Sequence, residues 1–145
     1  ADVEWLQSIT RLPVLIKGVL HADDARQAVS LQLGGVIVSN HGGRTLDTTP
    51  ATASVLPRIA DAAAGDLPLL VDGGIRRGTD VLKAMALGAQ AVLVGRPYVY
   101  GLANAGALGV AHVLRLLRDE LEIAMALSGC TNLQTVDKAL VYKDS

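Results

Sequence analysis

Residues 36–47 read VIVSNHGGRTLD. A continuous apolar run stops at Ser39, and behind it come Asn40, His41, two glycines, Arg44 and Asp47. A short unbroken run of Val and Ile, closed by polar residues and glycine, suits a strand buried on both faces rather than a half-exposed one. With Gly35 included, the run is GVIVS, Gly35–Ser39. Three others share its character: Pro13–Val19 (PVLIKGV), Pro68–Asp72 (PLLVD) and Ala91–Gly95 (AVLVG). None of them alternates apolar and polar residues.

Helical patterns separate these runs. An amphipathic segment around Trp5 opens the chain, with Trp5 on its packing face. Ala22–Leu33 is alanine-rich and ends at Gly34, a natural residue just past a helix end. Ala51–Ala64 follows Thr49-Pro50, a suitable N-cap and first helical residue. Pro57 is expected to kink or restart that helix. Thr79 is expected to cap a helix over Asp80–Leu87, which stops at Gly88. A longer helix is expected over Ala107–Leu127, and a short one after Thr131.

The order is therefore β-α-β-α-β-α-β-α with tight connections. That alternation gives an α/β fold with a parallel sheet and right-handed crossovers. Two architectures satisfy it: an open doubly wound sheet, or part of a (β/α)8 barrel. No G-x-G-x-x-G follows the first strand, so the dinucleotide-binding version of the open sheet loses support. A full barrel has eight βα units and about 200–250 residues, whereas these 145 residues carry four. On the barrel reading the chain is half a domain, with two open sheet edges.

Composition narrows the function. A net charge of −1 gives no field that selects nucleic acid or an anionic membrane. No apolar stretch reaches the roughly 18 residues that span a bilayer. Cys130 is the single cysteine, which rules out an internal disulfide or a multi-cysteine metal site and suits a small buried residue. The opening ADVEWLQSITRLP lacks the basic start and apolar core of a signal peptide, and the closing YKDS matches no lipidation or peroxisomal signal. A cytoplasmic location is the expectation.

Ligands of parallel α/β folds bind at the carboxyl ends of the strands. There the chain places Lys17, then Ser39, Asn40, His41 and Arg44, then Asp72-Gly73-Gly74 with Arg76-Arg77, then Gly95-Arg96. Lys17 puts a charge inside an apolar run, and a lysine there either snorkels to solvent or meets an anion or polarised carbonyl. Gly42 and Gly43 allow a sharp turn that returns Arg44 towards His41. A guanidinium fork grips a carboxylate, and an imidazole can take a proton near neutral pH, so the pair suits an acid substrate with a proton to lose. Arg44 paired with Asp47 as a surface loop is the plainer alternative. DGGIRRG, Asp72–Gly78, frees backbone N–H groups ahead of a helix N-terminus, and Gly95-Arg96 repeats the pattern, which suits a phosphate. Asp72 accepts rather than donates, so sugar-like hydroxyls suit it better than phosphate. His21 reads as a turn or cap residue, and His112 as a partly exposed helix residue.

In this order, LPVLIKGV, SNHGGRxLD, DGGIRRGTDVLKAMALGA, VGRP and MALSGC resemble the FMN-dependent α-hydroxy acid oxidases and dehydrogenases, such as glycolate oxidase, lactate oxidase and mandelate dehydrogenase. The resemblance runs from about Leu12 to Leu127 and matches the C-terminal half of the family's TIM barrel, strands five to eight. It implies an oxidoreductase that uses FMN to convert a small 2-hydroxy acid into the 2-oxo acid. Lys17 is implied beside the flavin N1 and C2 carbonyl, with Ser39 hydrogen-bonding the flavin. His41 is implied as the base, and Arg44 as the carboxylate ligand. Asp72 is implied at the ribityl hydroxyls, with Gly73, Gly74, Ile75, Arg76, Gly95 and Arg96 at the phosphate.

The resemblance also implies what the chain lacks. Relatives carry four earlier strands with further flavin contacts, a substrate tyrosine, another arginine and the aspartate that orients the base. Residues 1–145 are thus expected to be one half of a barrel, a fragment or one side of a nick, inactive until an N-terminal half joins it, in some cases as a separate chain. Full-length relatives are often oligomers, so a homo-oligomer is expected when the barrel is complete. Two other readings stay open: a different FMN- or phosphate-binding barrel enzyme, and a non-catalytic flavin-binding half-barrel.

Overall fold

The computed structural model describes residues 2–142. Strands β1 (Leu15–Val19), β2 (Gly35–Val38), β3 (Leu69–Val71) and β4 (Ala91–Val92) form one four-stranded sheet in the order β1-β2-β3-β4. Each neighbouring pair is parallel. Neighbours in space are neighbours in sequence, so these strands lack the order reversal of a doubly wound sheet. Helices α1 (Asp2–Ile9), α2 (Ala22–Ser30), α3 (Thr52–Ala63), α4 (Gly78–Ala86) and α5 (Arg96–Leu127) complete the alternation.

The core follows from the composition of the strands. Val36 and Val38 of β2, which has a strand on each side, are fully buried. Ala25 and Ala28 of α2, and Leu56 and Ile59 of α3, belong to the same buried cluster. Small alanines let helix α2 approach the sheet, while the larger residues of α3 fill the space beside them. Burial of Leu56 or Ile59 stabilises the fold by about 1.5–3 kcal/mol each.

Several element boundaries differ from those expected. Helix α3 begins at Thr52, with Ala51 rather than Thr49 as its N-cap, and runs unbroken through Pro57. Pro57 lies early in the helix, so its missing N–H costs one bond near the first turn. Helix α4 begins at Gly78, one residue before the expected Thr79 cap, because Asp80 reaches back to the N–H groups of Arg76 and Arg77 at 3.0 and 2.9 Å. Trp5 sits on the expected helix α1, yet it is exposed rather than packed. His21 does cap α2, its Nδ1 accepting from the Asp23 N–H at 3.2 Å. Cys130 is buried, and His112 is exposed. Two short 3-10 turns, Leu133–Thr135 and Lys138–Leu140, stand where a final helix was expected.

The largest difference lies in α5, which begins at Arg96 rather than near Ala107. Pro97 starts a first segment, 96–104, whose apolar residues gave no clear helical period. Ala105 and Gly106 leave helical geometry, Gly106 at φ 57° and ψ −139°, and a second segment, 107–127, continues from there. The two segments meet through glycine. A Cβ on Gly109 would lie 1.9 Å from the Gly101 carbonyl oxygen.

The sheet edges are open. Leu15 and Ile16 on β1 are each 38% exposed, although their types belong in a core.

Candidate active site

The polar residues singled out from the sequence come together at the carboxyl ends of the strands. Lys17 lies within β1 rather than at its end. A bulge follows it, between Lys17 and Val19, where Gly18 takes φ +99°. Bulges re-aim neighbouring side chains. Here the Lys17 ammonium sits 2.8 Å from Ser39 Oγ and 2.8 Å from Asp72 Oδ2, so one cation ties the ends of β1, β2 and β3 together. It neither snorkels away nor stands alone.

Ser39 is 1% exposed and serves two donors. Its Oγ accepts from Lys17 Nζ and from the His41 N–H at 3.1 Å. The hydroxyl proton of Ser39 stays free for a third group.

The segment after β2 is a tight 3-10 turn, His41–Gly43. Asn40 organises it: its Oδ1 accepts from the Gly42 N–H at 3.0 Å, and its carbonyl accepts from the Gly43 N–H at 2.9 Å. Three successive residues, His41, Gly42 and Gly43, have φ of 54°, 67° and 70°. Glycine takes that conformation freely, but histidine does not, so the turn holds His41 against its backbone preference. Both His41 and Arg44 are exposed and line one cavity. His41 Nδ1 lies 2.6 Å from Thr45 Oγ1.

That cavity, of about 570 Å³, runs from His41 and Arg44 past Asp72–Arg76 to Leu93–Tyr98. Arg44, Arg76 and Arg96 all border it. Among the described residues none of the three has an ion-pair or side-chain hydrogen-bond partner, so Arg44 is not paired with Asp47. The N–H groups of Gly73, Gly74, Ile75 and Gly95 likewise find no acceptor among the described residues. Unpaired guanidinium groups and free backbone donors around one opening make a binding place for an anion.

One part of the expected anion site is different. The N–H groups that lead into α4 already have partners: those of Arg76 and Arg77 bond to Asp80, and that of Gly78, the first helical residue, to Glu120 Oε2 at 2.8 Å. The helix N-terminus is capped by the chain's own carboxylates. The donors that border the cavity are those of the glycine turn and the arginine side chains.

Asp72 completes the floor. One of its oxygens meets Lys17, while Oδ1 is buried and has no donor among the described residues. A buried acceptor without a partner is costly, and a hydroxyl-bearing ligand would relieve it. Thr52, which is buried, donates to the Asp72 carbonyl at 2.6 Å and packs where Gly73 lacks a Cβ. Replacing Thr52 with Val removes that bond at nearly constant volume. It should cost about 1–2 kcal/mol in urea unfolding.

The chain belongs to the FMN-dependent dehydrogenase family.

The match to the FMN-dependent dehydrogenases covers residues 1–143. Glycolate oxidase 1 of Oryza sativa subsp. indica is 57% identical over 144 residues, 99% of this chain and 39% of that protein. A peroxisomal (S)-2-hydroxyacid oxidase of Arabidopsis thaliana is 56% identical over 137 residues, 94% of this chain and 38% of that one. A crystal structure of mandelate oxidase superposes with a TM-score of 0.92 at 50% identity, over 94% of this chain and 41% of the other. Another mandelate oxidase structure holds a monooxide FMN adduct. The chain thus spans about two fifths of the length of the relatives it matches. FMN is the cofactor of this family, and its chemical groups fit what the cavity offers. A phosphate meets the unpaired arginines and glycine N–H groups, and ribityl hydroxyls meet the orphaned Asp72 Oδ1.

Sequence reasoning placed Asn40 on the rim without a role and missed Thr45, Thr52, Asp80 and Glu120. Asn40 carried a signal, since Asn in a glycine-containing turn favours a side-chain-stabilised turn. Asp80 stands three residues after the Arg77 cap, the capping-box spacing. Glu120 had none, lying 42 residues from its partner.

Proposed function

We propose that this chain is the C-terminal half, strands five to eight, of a (β/α)8 barrel that oxidises a small 2-hydroxy acid to the 2-oxo acid with FMN. The observation that carries the reading is one cavity bordered by His41 and by three guanidinium groups that are unpaired among the described residues. Such a place suits two anions at once, a cofactor phosphate at one end and a substrate carboxylate at the other. The consecutive parallel sheet and its open edges support the half-barrel assignment of residues 1–145.

In this reading Lys17, Ser39, Asp72, Gly73, Gly74, Ile75, Arg76, Gly95 and Arg96 hold FMN. When bound, FMN supplies a two-electron acceptor for the substrate's α-carbon. The chain's own residues do the rest. Arg44 binds the carboxylate through two charge-assisted hydrogen bonds and fixes the α-carbon's position. His41 takes the proton that leaves the acid as its C–O bond becomes C=O. Lys17 supplies positive charge where the reduced cofactor gathers negative charge.

The remaining partner is an N-terminal half-barrel, in the same polypeptide or in a second one. It covers β1 and β4 and brings the contacts absent here. The completed barrel is expected to form a homo-oligomer. Among the described residues no helix is long and apolar enough to cross a membrane. The cytoplasmic expectation gains no support from the relatives, one of which, 56% identical, is named as peroxisomal.

Residues 1–145 produced alone should self-associate through their exposed apolar edges and turn over nothing. Size-exclusion chromatography with an activity assay checks this, and a monodisperse monomer with turnover contradicts it. The main test is anaerobic mixing of the assembled barrel with glycolate, lactate and mandelate, followed by flavin absorbance. Bleaching by one of them supports the reading. Bound flavin that no 2-hydroxy acid bleaches points instead to a binding module, and turnover of a phosphorylated substrate points to a different barrel enzyme.

A further inference from the structure

The exposed apolar side chains of this molecule are not scattered. Among the described residues, every exposed large hydrophobic lies before β2 or after β4, apart from Leu46 on the loop behind the 3-10 turn. The elements between, α2 to α4 with β2 and β3, show none. Single exposed leucines need no explanation, but a distribution confined to the two ends of a sheet marks surfaces that another body covers. From the end at β1 we infer that Trp5 is the anchor on which the N-terminal half-barrel docks. The inference rests on the reading of residues 1–145 as half a barrel.

Helix α1 has two faces, and this chain meets only one of them. Val3 packs against the core cluster, and Gln7, one turn on, donates to the carbonyls of Leu31 and Gln32 at 3.1 and 3.3 Å. These contacts pin α1 to the end of α2. The opposite face carries Trp5 and Ile9, also one turn apart and each 61% exposed, with Leu12 just beyond the helix. No residue of α1 is buried. A helix of eight residues is not stable in water by itself, so a bare face of Trp and Ile contributes nothing until something meets it. Next along the chain is β1, which pairs with β2 alone and leaves its other edge free, with Leu15 and Ile16 partly exposed. A free edge takes a strand and a bare helix face takes side chains, and a further βα unit brings both. The occupant follows from chain length. These residues cover 39% of Oryza sativa glycolate oxidase 1, so most of such a protein lies outside this chain. A body made from that remainder meets the β1 end and the β4 end together. Within the face at β1, tryptophan has the largest apolar area, and a buried Trp is a frequent hot spot of an interface.

The test pairs residues 1–145 with the part of Oryza sativa glycolate oxidase 1 that lies outside the match, the two polypeptides being produced together. Native mass spectrometry across a dilution series reads their assembly. One copy of each is expected. Trp5→Ala should weaken the assembly by about thirtyfold or more, the range of an interface hot spot, with Trp5→Phe falling between Ala and the parent. Hydroxyl-radical footprinting, read on the peptide that carries Trp5, needs no variant and so decides even where Trp5→Ala fails to fold. Trp5 should be modified freely in the urea-unfolded chain and hardly at all in the assembly. A Trp5 that stays reactive in the assembly, or a Trp5→Ala chain that assembles as tightly as the parent, overturns the inference and leaves the half-barrel reading standing. Two copies of this chain with the second polypeptide left out, or no association at all, overturn both. Assembly with a shielded Trp5 but with flavin that no 2-hydroxy acid bleaches defeats the proposed activity and supports the joint.

Discussion

Replacing His41 with Asn lowers the rate of flavin reduction by a 2-hydroxy acid by about 10²–10⁴-fold, the usual worth of a positioned general base. Asparagine is the useful substitute because the site has φ 54°, which Asn tolerates better than most residues. The backbone N–H that donates to Ser39 is kept, so the Lys17–Ser39–Asp72 cluster should stay in place. FMN affinity should therefore change little. Stopped-flow reduction and a flavin titration on the same sample separate the two effects. A rate within threefold of the parent means that the proton goes elsewhere. Loss of FMN together with rate means that the turn has collapsed, and the comparison then needs His41→Gln instead.

The second large effect concerns folding. Gly109→Ala should destabilise the protein by about 3 kcal/mol or more, at or beyond the top of the usual range for overpacking. The new methyl would fall on the Gly101 carbonyl oxygen, which is backbone and has no rotamer to change. Relief requires the segments 96–104 and 107–127 to move apart. The first of these starts with Arg96 and Pro97, which border the cavity, so loosened packing there also weakens the anion site. Urea unfolding of the assembled barrel, beside Ala107→Gly as a control in the same helix segment, gives the number. A loss below about 1 kcal/mol would show that the two segments are not held in contact in solution.

Much of the fold was legible because each strand was a dense apolar run closed by a polar or glycine residue. Gly35–Ser39 and Pro68–Asp72 contain β2 and β3 entire. The site residues were legible for a related reason: strand ends in a parallel sheet are where a charged residue has few structural uses. The misses have separate causes. Glu120 caps α4 from 42 residues away, a distance set by where the chain returns and not by any local spacing, whereas Asp80 stood at the capping-box position and was passed over. The first segment of α5 was invisible because 96–104 has no clear helical period, and its Gly101 is instead where Gly109 of the second segment packs. Lys17 was placed at a strand end because a bulge cannot be seen in LIKGV.

The capped start of α4 has a consequence for how a ligand arrives. Asp80 and Glu120 fix the backbone from Arg76 to Gly78 with bonds internal to the chain. That side of the glycine turn therefore keeps its shape while empty, and little conformational entropy remains to be lost there on association. Recognition at this end of the cavity is closer to docking than to folding around the ligand, so affinity differences among variants of the loop should reside in how fast the ligand leaves.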